Sequence, residues 1–128
     1  LSVVPEALLA VKWGARALHD ATEGGVLGAA WEMATASRVG LALEEGCIPL
    51  RKETAKLCDA LNIDPLRAMT SGVLLIAMKQ STDFEAECDK RGIPLAKSGM
   101  ATHQEKGICM DGKALAPPEQ DELYRVLG

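Results

Sequence analysis

His19-Asp20-Ala21-Thr22-Glu23-Gly24-Gly25-Val26-Leu27 is the stretch that decides how this chain is read. Ahead of it, Ala15 to Leu18 is a brief apolar run of strand character. Behind it, Val26, Ala30 and Met33, with Leu27, Trp31 and Ala34 beside them, recur at helical spacing as far as Ser37, while Glu32, Thr35 and Arg38 fall elsewhere. The spacing predicts a strand, a tight glycine-containing turn and a helix. Asp20 or Thr22 can cap that helix, and Gly24 and Gly25 let the backbone come close to a bound group. The N–H groups of the first helical turn favour an anion, so a phosphate fits here. A plain capped turn fits the same residues, with Asp20 and Thr22 serving the backbone and the glycines serving packing. The stretch is not a Walker loop, because no Lys follows the second glycine, nor is it a G-x-G-x-x-G fingerprint.

Outward from this turn the pattern keeps alternating. Pro5 suits the first position of a short helix that Gly14 ends. Val39 to Glu45 places Val39, Leu41 and Leu43 on one face of a strand. Lys52 to Asn62 gathers Leu57, Cys58 and Leu61 on one helix face, and Asp64-Pro65 reads as the start of a further helical turn. Ser71-Gly72 breaks that turn, and Val73 to Met78 reads as the clearest buried strand. Thr82 with Glu85 makes a capping box for a helix carrying Phe84 and Cys88, closed by Gly92. From Ile93 onward two strands are expected, with Asp111-Gly112 as a hairpin signal, and Pro118 opens a last helix with Leu123, Val126 and Leu127 inward. This order predicts an α+β fold, a layered α/β sandwich with helices packed on a mixed sheet.

Composition narrows the function classes. The chain has 128 residues, 48% hydrophobic and 25% charged, which suits one globular domain. The longest apolar run, Val73 to Met78, is far short of the roughly 18 residues of a membrane helix. Net charge is -4, the fourteen Lys and Arg are scattered, and aromatic residues are 3%, so neither a nucleic-acid nor a membrane partner is expected. Cys47, Cys58, Cys88 and Cys109 lack C-x-x-C spacing and read as reduced core thiols of a cytoplasmic protein. Glu44 and Glu45 point to opposite faces of a strand, so with Glu53 they read as solvated carboxylates, and no metal ligands are assigned. His103 reads as a surface residue. His19 is either a general base or a partner of the turn.

His19-Asp20-x-Thr22-x-Gly24-Gly25-Val26 resembles the H-D-x-T-x-G-G motif of the carboxy-terminal domain shared by aminoimidazole ribonucleotide synthetase (PurM) and its relatives, especially HypE-like hydrogenase maturation proteins. Ile48-Pro49-Leu50-Arg51, Leu61-Asn62-Ile63-Asp64-Pro65-Leu66 and Ser71-Gly72-Val73-Leu74 follow in that family's order and spacing. The resemblance implies a two-domain, ATP-dependent enzyme that phosphorylates an amide-type oxygen, with ATP and Mg as cofactors of the full-length protein. Residues 1–128 would be the carboxy-terminal domain. The amino-terminal domain would be its partner, forming a homodimer and supplying acidic metal ligands and most nucleotide contacts. His19 and Asp20 would be catalytic, and Asp20, Thr22, Gly24, Gly25, Ser71 and Gly72 would face the nucleotide.

On this reading the fragment alone is inactive and binds no nucleotide tightly, an exposed cleft lies beside His19 to Gly25, and Gly25→Val obstructs phosphate while mostly sparing the fold. One feature departs from HypE proper: no cysteine follows Cys109 to carry a carbamoyl group, which, if Gly128 is the natural end, favours a relative with another substrate. The alternative is a non-catalytic small-molecule-binding or interaction module on the same scaffold.

Overall fold

The first helix, α1 (Val4–Lys12), carries Pro5 in its first turn, where a missing N–H costs nothing, and gives way to Gly14. The computed structural model describes residues 3–21, 24–50, 52–67 and 73–117. Thr22, Arg51, Ser71, Gly72 and the helix expected from Pro118 lie outside the described residues. Strand β1 (Ala17–Asp20) runs further than its apolar residues imply, through His19 and Asp20. The reason is pairing: β3 (Leu74–Ala77) lies antiparallel to it, with His19 opposite Leu75 and Asp20 opposite Leu74. A ladder partner overrides weak local strand propensity.

Helix α2 (Gly25–Ser37) is apolar almost all round its first two turns, as a helix covered on both sides should be. Strand β2 (Gly40–Leu43) follows, then a 3₁₀ turn (Glu45–Cys47), α3 (Lys52–Ala60) and, after β3, α4 (Thr82–Lys90). The segment from Gly99 to Thr102 forms a strand, β4, that the sequence pattern leaves undefined. Strands β5 (Ile108–Met110) and β6 (Lys113–Ala114) make the expected hairpin, with Asp111 and Gly112 at φ 52° and 80°, the left-handed pair of a tight two-residue turn. The second sheet has the order β4-β2-β5-β6, with β2 antiparallel to β4 and parallel to β5.

Two cores hold the layers. Leu9 and Ala10 of α1 meet Phe84 and Cys88 of α4, with Leu18 and Ile76 packed against them. Leu27, Ala30 and Ala34 of α2 meet Leu41, Leu43, Ile48 and Leu66, with Leu75 packed against these. Successive strand residues point to opposite faces, so Leu75 and Ile76 send β3 into both cores and the β1–β3 sheet lies between α1/α4 and α2. The layered α+β expectation therefore holds. Burying Phe84, which is 3% exposed, contributes about 2 to 3 kcal/mol.

Several local expectations change. The N-cap of α4 is Ser81, whose Oγ accepts from the Phe84 N–H at 3.1 Å, so the cap stands one residue before Thr82 and a single cap bond replaces the Thr82–Glu85 box. Residues 73–78 are only half-buried, because β3 has a ladder partner on one side among the described residues. Leu57 and Leu61 are exposed, and Cys58 alone of the expected α3 face is buried. Asp64-Pro65 keeps its expected role: Asp64 Oδ1 accepts from the Leu66 N–H at 3.0 Å, an N-cap bond, and the Asp64 carbonyl accepts from the Arg67 N–H, while residues 68–72 lie outside the described ones. Cys58 and Cys88 are core thiols as expected, whereas Cys47 is exposed.

Candidate functional site

Helix α2 starts without a side-chain cap among the described residues. Its N-cap is Gly24, at φ 77° and ψ 0°, and Gly25 follows at φ 64°. Two successive left-handed residues are accessible to glycine and strained for any residue with a Cβ. Asp20, expected as a possible cap, stands exposed at the end of β1, and its side chain meets no hydrogen-bond partner among the described residues. Gly25→Val must therefore strain the fold as well as the loop, contrary to the expectation from sequence.

Two of the amides of the first turn are spent internally. The Leu27 N–H donates to the Leu66 carbonyl at 2.9 Å, and the Gly28 N–H donates to the Gly24 carbonyl at 3.0 Å. No described residue accepts from the amides of Gly25 and Val26. The first turn also contains no acidic residue, so the positive end of the helix dipole is not neutralised by α2 itself. Leu66 is a member of this site that the motif alone does not reveal. The Asp64 turn orients its carbonyl toward α2, and the Asp-Pro pair was the signal that a turn stood there.

His19 and Asp20 leave β1 on opposite faces, as neighbours in a strand must. The His19 ring sits between two oxygens, its Nδ1 2.9 Å from the Asp20 carbonyl and its Nε2 2.6 Å from Glu32 Oε2. Thr22, Ser71 and Gly72 lie outside the described residues. The structure thus places Gly24, Gly25 and the strand end carrying His19 and Asp20 around one turn, and adds Glu32 and Leu66 to it.

A depression of about 510 Å³ lies elsewhere, on the four-stranded sheet, among Glu44, Cys47, Lys97, Met100 and Asp111. None of the described residues from 19 to 25 lines it. The Cys47 Sγ–H donates to Glu44 Oε2 at 3.2 Å, and this bond, with partial desolvation and the charges of Glu44 and Asp111, holds the thiol above its ordinary range. Among the described residues no group of three or more His, Cys, Asp and Glu could hold a metal ion. No helix of the described residues is long and apolar enough to cross a membrane.

Comparison with known proteins bears on the same turn. The family described as AIR synthase related protein, C-terminal domain, matches residues 1–111. The carbamoyl dehydratase HypE of Rhodobacter capsulatus is 32% identical over 109 residues, covering 85% of this chain and 29% of that protein. The crystal structure of E. coli HypE has a TM-score of 0.77 at 25% identity, covering 97% of this chain and 42% of that one. A crystal structure of the hydrogenase maturation protein HypE in complex with ATP shares the fold, with a TM-score of 0.66 at 21% identity over 88% of this chain and 38% of that one. The chain spans less than half the length of each of these relatives.

Proposed function

The chain belongs to the family of AIR synthase related carboxy-terminal domains, and from that premise we propose that it is the second half of an ATP-dependent enzyme of the HypE type. The reaction is phosphorylation of an amide-type oxygen, which turns a poor leaving group into a good one. Charge spread over the transferring phosphoryl oxygens is stabilised by donors already aimed at it, and backbone amides at a helix start supply such donors without reorganising. The observation that carries the reading is the left-handed glycine start of α2, where the amides of Gly25 and Val26 have no described acceptor.

These residues fit the phosphate part of a bound nucleotide. Among the described residues no group of three or more His, Cys, Asp and Glu gathers at the turn. Following the family resemblance, Mg ligands and most nucleotide contacts are assigned to an amino-terminal domain, which also forms the homodimer. ATP, when bound, supplies the phosphoryl group. Gly24 and Gly25 shape the turn, Gly25 and Val26 donate to phosphate oxygens, and Thr22, Ser71 and Gly72 complete the binding set. Asp20, exposed at the mouth of the turn, faces the reacting atoms, while His19, whose ring is turned to α2, orders the strand end. Val4, Leu8 and Val11, at 59%, 66% and 58% exposure along one stripe of α1, supply an apolar face for a further domain.

Titration calorimetry with Mg-ATP tests the division of labour. The 128-residue chain should bind only weakly, through the phosphate contacts of the α2 start, and a longer protein joining it to an amino-terminal domain should bind far more tightly. Tight binding by the chain alone contradicts the proposal. In the longer protein, Asp20→Asn should lower nucleotide turnover by more than it lowers stability; equal losses would leave Asp20 a structural role only.

A further inference from the structure

We propose that Glu32 is a positioning residue of this site, acting through His19; the inference rests on the phosphate-binding reading of the α2 start. Glu32 is the one charged side chain in α2, on a helix whose other residues are glycine, apolar or hydroxyl-bearing. Its side chain is 64% exposed and needs no partner for solvation, yet its carboxylate lies 2.6 Å from His19 Nε2. Helical side chains lean toward the helix N-terminus, so Glu32 reaches back toward the end of α2 where the glycine turn lies.

The other ring nitrogen, Nδ1, faces the Asp20 carbonyl at 2.9 Å. A half-turn of the ring would replace both nitrogens by carbons and lose both contacts, so Glu32 sets the ring orientation and thereby engages the carbonyl of the Asp20–Ala21 peptide. That peptide is where the chain leaves β1 for the turn, and the Ala21 N–H is held from the other strand by the Val73 carbonyl at 3.0 Å. Among the described residues, helix α2 has no side-chain cap to anchor the turn from its own side. The pair joining His19 to Glu32 spans the turn from the strand before it to the helix after it. Removing Glu32 frees the ring and leaves the peptide held from the Val73 side alone, and phosphate must then order donors that are otherwise pre-arranged. An exposed pair of this kind adds little to global stability.

The test is an NMR titration of the 128-residue chain with inorganic phosphate, unsubstituted and as Glu32→Ala and Glu32→Gln. Glu32→Ala should shift the His19 ring nitrogens and raise the phosphate midpoint read at the Gly25 and Val26 amides about three- to fivefold. Its melting temperature should stay within about 3 °C. Glu32→Gln keeps an acceptor and should restore both the ring signature and the midpoint, which a general loss of stability would not do. An unmoved His19 ring or an unchanged midpoint in Glu32→Ala overturns the positioning role while leaving the loop reading intact. Silence of the Gly25 and Val26 amides in the unsubstituted chain overturns the loop reading itself, and the role of Glu32 with it.

Discussion

Gly24→Ala separates what the turn needs for folding from what it offers a ligand. At φ 77° an alanine incurs the left-handed penalty, about 1 to 2 kcal/mol. Its Cβ would also lie 3.3 Å from the Gly28 Cα, a backbone atom in the first turn of α2 that cannot rotate aside. Gly92, after α4, is the matched control: its φ is 69° and a Cβ there would meet nothing within 4 Å. Both substitutions share the left-handed cost and the same stiffening of the unfolded chain, roughly 0.4 to 1 kcal/mol in the opposite direction. The difference between them isolates the contact with Gly28, and crowding of that kind costs roughly 1 kcal/mol. In urea melts of the chain this is a midpoint lower by about 0.3 to 1 M for Gly24→Ala than for Gly92→Ala. Equal midpoints would refute the reasoning, because the turn would then not be held against Gly28 in solution. Gly24→Asn, whose side chain tolerates the left-handed region, should recover part of the loss.

Ser81→Ala should cost about 1 kcal/mol by thermal or urea unfolding, because the Phe84 N–H loses its acceptor, whereas Thr82→Ala should cost much less; the reverse order would return the cap to Thr82. At Cys47, the thiolate is the reacting form and appears only as pH rises through a pKa held high, chiefly by the bond to Glu44. Its alkylation by iodoacetamide near pH 8, followed by peptide mass spectrometry, should be slower than that of an unhindered exposed cysteine. Glu44→Gln should move the pH–rate profile of Cys47 to lower pH; an unmoved profile would show that Glu44 does not govern the thiol.

Period and punctuation carried much of the fold. Pro5 and Gly14 bracket α1, the apolar recurrence from Val26 marks α2, and Asp111-Gly112 marks the hairpin. These signals are local, since each depends on residues a few positions apart. Residues 73–78 show where local reading stops: a run of apolar residues reports hydrophobicity, not how many sides are covered, and the strand is half-buried. The face of Leu57, Cys58 and Leu61 was legible as amphipathic, but whether another element meets it depends on packing, and two of the three are exposed.

The candidate site divides in the same way. The sequence by itself determined that a glycine turn joins a strand to a helix there, because only a few residue types permit that backbone, and the surrounding motifs led to the family. Only the tertiary structure decided that both glycines are left-handed, that the Leu66 carbonyl takes the Leu27 amide, and that Glu32 meets His19 across the turn. It also set His19 and Asp20 on opposite faces by extending β1 through them against β3. Each of these follows from contacts between residues distant along the chain, whose energies no local pattern records.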